Sequence, residues 1–105
     1  MAQFDIYPNS GAGAGTTPFV VDVQSGLLDD LETRVVIPLR RCDAFPASVL
    51  PTRLTPLIEV QGVQCLLETP KMAAVPSRIL QRPLGSLTDR RDDLTGAIDF
   101  LVHGF

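Results

Sequence analysis

The chain has 105 residues and a net charge of −3, with 45% hydrophobic and 20% charged side chains. That length and composition predict one globular domain over residues 1–105, large enough to bury a core without disulfide or metal staples. The acidic balance argues against gripping nucleic acid by phosphate neutralisation, and no apolar run reaches the roughly 20 residues of a membrane helix. The start lacks the basic and apolar regions of a leader, so the expected location is the cytoplasm.

Residues 2–7 alternate apolar Ala2, Phe4 and Ile6 with polar Gln3 and Asp5, the pattern of a half-buried strand. Residues 8–17 form a Gly-rich, mobile loop; without a GxxxxGK[ST] ending or a following helix it does not fit a phosphate cradle. Pro18 to Gln24 is β-branched and continuous enough for a central strand. Ser25-Gly26 turns the chain, Leu27-Leu28 make a short apolar knuckle, and residues 29–32 are acidic. Arg34 to Leu39 reads as a third strand whose end Pro38 consigns to an edge or bulge, because proline has no ladder N–H to give.

Residues 40–51, interrupted by Pro46 and Pro51, predict an irregular loop. Leu54 to Val60 and Val63 to Thr69 then make a hairpin across Gln61-Gly62, with a positive φ at Gly62. Residues 70–76 break the sheet and Arg78 to Leu80 adds one more short strand. The chain closes with a helix: Leu94, Ala97, Ile98, Leu101, Val102 and Phe105 recur at steps of three and four and fall on one face. Thr88 is its expected N-cap, Asp89, Asp92 and Asp93 lie near the positive end of the dipole, and Gly104 ends it. The predicted fold is mainly β with a C-terminal helix: an SH3-like barrel, or strongly bent sheet of about five antiparallel strands.

Catalytic chemistry finds little support. The single histidine, His103, sits at the chain end with no partner to orient it for acid–base work. Cys42 and Cys65 belong to no CxxC or metal-ligand cluster and read as a reduced, structural pair. No metal or other cofactor is expected. Arg40-Arg41 and Arg90-Arg91 read as surface ion-pair elements. What remains is apolar residues where burial is hardest to enforce: Leu27 and Leu28 beside a turn, and Val102, Gly104 and Phe105 at the end. Residue chemistry leaves open whether these are core and frayed tail or a binding patch.

Five segments bear on that choice. They are Gln3-Phe-Asp-Ile-Tyr7, Phe19-Val-Val-Asp-Val-Gln-Ser-Gly-Leu-Leu-Asp29, Arg34-Val-Val-Ile-Pro-Leu39, Met72-Ala-Ala-Val-Pro76 and Ala97-Ile-Asp-Phe-Leu-Val-His-Gly-Phe105. In this combination the chain resembles, nearly end to end, the CcdB family of toxins from bacterial toxin–antitoxin pairs. The resemblance implies a homodimer that binds the A subunit of DNA gyrase and traps the cleaved-DNA state. A CcdA-like antitoxin would reverse the poisoning through a flexible tail. Direct nucleic-acid binding, cofactors and bond-making chemistry are not implied.

Family contact positions carry over to Leu27, Leu28, Asp99, Val102, His103, Gly104 and Phe105. Here the chain departs from its family. The best-known member ends Trp-Gly-Ile with an aromatic just before; this chain has His103, Gly104 and Phe105 after Val102, and Asp99 in place of Asn. The tryptophan is the residue that would stack on a gyrase arginine, and loss of such an anchor costs about 2 kcal/mol or more of binding. Two alternatives therefore stand beside the gyrase poison: a non-toxic relative that only binds antitoxin, and an endoribonuclease like the MazF/Kid toxins of the same fold.

Overall fold

The computed structural model describes residues 2–11, 13–44 and 51–104, and its sheet is built around the nine-residue strand β3. The strands are β1 (Asp5–Pro8), β2 (Phe19–Asp22), β3 (Thr33–Arg41), β4 (Leu57–Val60), β5 (Val63–Leu67), β6 (Ala73–Pro76) and β7 (Gly85–Ser86), followed by the helix α1 (Arg91–His103). Every pairing is antiparallel, in the order β4-β5-β3-β2-β1-β7 with β6 also on β3. Residues of both outer strands, Ile58 and Val60 on one side and Gly85 and Ser86 on the other, line a common hollow, so the sheet has curled into a half-barrel. The Arg90 guanidinium reaches across and donates to the Leu57 carbonyl at 2.8 Å.

The predicted class stands, with two short strands added. β6 forms within the stretch expected to break the sheet, and its Pro76 sits at the last paired position, where a missing N–H matters least. β7 supplies the pairing that extends the sheet beyond β1. The expected strand at 78–80 is instead a 3₁₀ turn, Ser77–Ile79, closed by the Leu80 N–H on the Ser77 carbonyl at 3.1 Å. Of the loop expected over residues 40–51, 45–50 lie outside the described residues; Arg41 still belongs to β3, and Cys42–Ala44 is a 3₁₀ turn.

Pro38 is the clearest correction. It lies inside the central strand, opposite Val20 of β2, and not at an edge. The other side of β3 changes partner there, since β6 pairs through Val36 and β5 begins at Leu39. The Pro38 carbonyl faces that seam, accepting the Glu68 N–H at 2.9 Å. A strand residue aims its nitrogen and its carbonyl to the same side, so the absent donor falls where no ladder bond is required.

Side-chain alternation divides the sheet into two faces. Ile6, Val21, Ile37 and Leu39 enter the main core with Ile58, Leu67 and the helix residues Leu94 and Ala97. Their neighbours Tyr7, Val20 and Val36 point the other way, into a smaller cluster completed by Val75 and Leu80. Gln61 and Gly62 both have positive φ, 52° and 81°, as a tight hairpin turn whose twist matches its strands requires. The Gly-rich loop is tied at its base by Asn9 Nδ2 on the Thr17 carbonyl and by the Arg41 N–H on the Thr16 carbonyl, each 2.8 Å.

Both cysteines are free, and Cys65 is buried in the main core. Burial pushes the Cys65 thiol up to about 11 and also raises Cys42, so both stay neutral at physiological pH. Among the described residues no helix is long and apolar enough to cross a membrane.

The helix starts later than its sequence suggests. Thr88–Arg90 is a 3₁₀ turn, and Arg90 occupies the cap position without a side-chain bond. Thr88 is drawn back to Ser86, whose hydroxyl accepts the Thr88 N–H at 3.2 Å and lies 2.6 Å from the Thr88 hydroxyl. Only the first half of the predicted apolar face is buried. Leu94 and Ala97 are sealed and Ile98 packs at the rim, but Leu101 and Val102 stand 41% and 64% exposed.

Candidate functional site

Exposed apolar side chains occur at both places singled out from sequence, besides Leu57, Ile79 and Leu84 elsewhere. The first is the 3₁₀ turn Gly26–Leu28 after β2. The Ser25 hydroxyl caps it by accepting the Leu27 N–H at 3.2 Å, and the Leu28 N–H closes onto the Ser25 carbonyl at 3.0 Å. Leu27 is 95% exposed and Leu28 50%, with Leu31 equally exposed nearby.

What holds this turn is polar and buried. The Arg34 guanidinium, fully enclosed, donates through Nε and one terminal nitrogen to the two Asp22 oxygens at 2.8 and 3.0 Å. That nitrogen also reaches the Gln24 carbonyl at 3.2 Å, while the other donates to Asp29 at 2.6 Å, just beyond Leu28. The Gln24 side chain donates to the Leu28 carbonyl at 2.9 Å and accepts the Val35 N–H at 3.0 Å. Burial alone would pull the Arg34 proton affinity down; the bonds and charges of Asp22 and Asp29 outweigh it and leave the pKa raised. The arginine stays charged, and the paired geometry satisfies a cluster that would otherwise be costly to bury. The leucines are thus held outward from a fixed base.

The second place is the end of α1. Asp99, Val102 and His103 are spaced i, i+3, i+4, so they share one stripe, and all are exposed. Gly104 stops the helix in the left-handed region at φ 80°, its N–H donating to the Phe100 carbonyl at 2.9 Å. Phe100, half-buried, lies under the Arg53 guanidinium, 5.0 Å from the ring centre. Phe105 lies outside the described residues.

The structure therefore presents Leu27 and Leu28 as one patch and Asp99, Val102, His103 and Gly104 as another. The main contacts of α1 are with the Thr69–Lys71 and Thr88–Arg90 turns, not with the turn that carries Leu27. Asp22, Gln24, Asp29 and Arg34 were not singled out as site residues by sequence reasoning. Their signal was present as polar residues, Asp22 and Gln24, inside an otherwise apolar strand. The described residues contain no group of three or more His, Cys, Asp or Glu arranged to hold a metal ion.

A family model described as "CcdB protein" matches residues 3–104, a span that takes in both patches and the Arg34 cluster.

Proposed function

The chain belongs to the CcdB family of toxins of toxin–antitoxin systems, and on that premise we propose that it poisons DNA gyrase. In this reading a homodimer in the cytoplasm binds the gyrase A subunit and traps the enzyme with its DNA cleaved. A CcdA-like antitoxin neutralises it. The contact residues are Leu27, Leu28, Asp99, Val102, His103, Gly104 and Phe105. The reading joins the two patches by a two-fold assembly that sets the leucine turn of one copy beside the helix end of the other.

The observation that carries this reading is the enforced exposure of Leu27 above a buried Arg34–Asp22 pair. A side chain left in water at the cost of ordering its whole base is better explained by a partner than by packing. The test is a gyrase cleavage assay with purified protein, ATP and supercoiled plasmid, quenched with detergent and protease. Linear DNA should accumulate with dose.

His103 favours a second reading, in which the protein binds antitoxin without poisoning gyrase. An imidazole offers less surface than the indole it replaces, and a positive charge if protonated. No linear DNA from a protein that still binds antitoxin would select that reading over the first.

A further inference from the structure

The face of the sheet turned away from the main core is only partly covered. Its small cluster of Tyr7, Val36 and Leu80 has Val20 and Val75 at the rim. Two hollows open there and share Pro8, Ser10 and Ile79. The smaller, about 60 Å³, is apolar and floored by Val20, Val36, Val75 and Leu80. The larger, about 620 Å³, is flanked by Arg78, Gln81 and Arg82. Ile79 stands between them, 46% exposed on the Ser77–Ile79 turn.

The charges lining this groove are of one sign. Arg34, Arg40, Arg41, Lys71 and Arg90 each pair with a carboxylate. Among the described residues the Arg78 and Arg82 side chains, like those of Arg53 and Arg91, have no ion pair or hydrogen bond. None of the chain's 12 acidic residues lines either hollow. A protein of net charge −3 thus keeps two guanidiniums unneutralised beside an apolar slot.

We propose that this groove binds an acidic, extended peptide segment of a protein partner. One apolar side chain of the segment enters the small hollow, and neighbouring carboxylates pair with Arg78 and Arg82. The guanidinium is suited to this because its fork of donors matches a carboxylate in two bonds. A nucleic acid fits less well, since phosphate-driven binding draws on some 6–10 contacts where this site has two cations. An anionic membrane likewise calls for a cluster of about 4–8 basic residues. The site shares no residue with the proposed gyrase surface and does not depend on that reading.

The test uses the full chain and a labelled peptide of alternating Glu and Val, followed by fluorescence anisotropy at low salt. Saturable binding is expected. It should weaken by roughly fivefold or more when Gln replaces Glu in the peptide, and equally in the Arg78→Ser/Arg82→Ser double variant, as two partly exposed ion pairs imply. Ile79→Ser, checked for folding by circular dichroism, should weaken both peptides by a similar factor of about three. The proposal is overturned if the Glu peptide does not bind, if the Gln peptide binds as tightly, or if the double arginine variant is unchanged. It is equally overturned if phosphatidylserine vesicles or duplex DNA bind this groove in an arginine-dependent way and the Glu peptide fails to displace them.

Discussion

The two exposed apolar patches reach the same end by opposite means. Leu27 and Leu28 stand on a base of buried charge, with Arg34 tied to Asp22, Asp29 and the Gln24 carbonyl. Val102 and His103 stand on a helix whose last turn has left the core and is ended by one glycine. The first patch is rigid because its support is shared by many bonds that fail together. The second depends mainly on helix continuity from Leu94 and Ala97, so its support is modest and local. Exposure of an apolar residue can therefore be specified from below by a network or simply permitted by running out of core.

Removing the network is the largest test of that contrast. Arg34→Leu leaves the Asp22 carboxylate buried without its partner and should cost about 3–5 kcal/mol in urea unfolding. The double variant Asp22→Leu/Arg34→Leu removes both charges and should recover most of that loss. On the proposed gyrase reading, its leucine turn, no longer anchored, should nevertheless bind gyrase more weakly than the parent. Full binding by the double variant would show that the network serves stability alone.

Next in size is a change at the helix end that should not disturb folding. On the proposed gyrase reading, His103→Trp, which puts back the aromatic that the resemblance implies, should tighten gyrase binding by about 2 kcal/mol in a titration, with little change in unfolding midpoint. Gly104→Ala is smaller and acts on the fold. A Cβ there has open space around it, yet φ is +80°, so the cost is conformational, about 1–2 kcal/mol in thermal unfolding. Larger residues at Gly104, such as Gly104→Glu, carry the same backbone cost besides any effect on binding, so stability must be measured alongside activity. The smallest stability effect belongs to Leu27→Ser: at 95% exposure it should shift stability by under about 0.5 kcal/mol while weakening gyrase capture. Unchanged capture by that variant would remove Leu27 from the binding surface.

The sequence was most legible where a residue acts through its own backbone. Gly62 and Gly104 mark a hairpin turn and a helix end because both need positive φ, and both have it. Periodicity located β1 and the helix, since one buried face leaves a period of two or of about four, while β2 was legible as a continuous β-branched run. Reading failed where a neighbour in space decides. Pro38 looks like an edge residue until β5 and β6 are seen to meet beside it. Thr88 looks like a cap until Ser86 claims it. The helix stripe ran to Phe105 in sequence, but burial stops at Ile98 and leaves Leu101 and Val102 exposed, and no pattern within the helix records that. The charged base under Leu27 joins residues 22, 24, 29 and 34, and its individual residues look like ordinary strand and turn polarity until they are brought together.

The pairing of β7 with β1 carries a consequence for how the chain is made. Asp5 and Ile6 are synthesised well ahead of their partners Ser86 and Gly85, with β2 to β6 in between. On a ribosome, β1, β2 and β3 can zip together early, as neighbours in sequence. The outer side of β1 must then wait, its backbone groups bonded only to water, until Gly85 and Ser86 have emerged. Through that interval the nascent sheet offers an open edge to any other extended chain nearby. A translation product cut short before Gly85 keeps that edge permanently, and should aggregate rather than persist as a smaller version of the same protein.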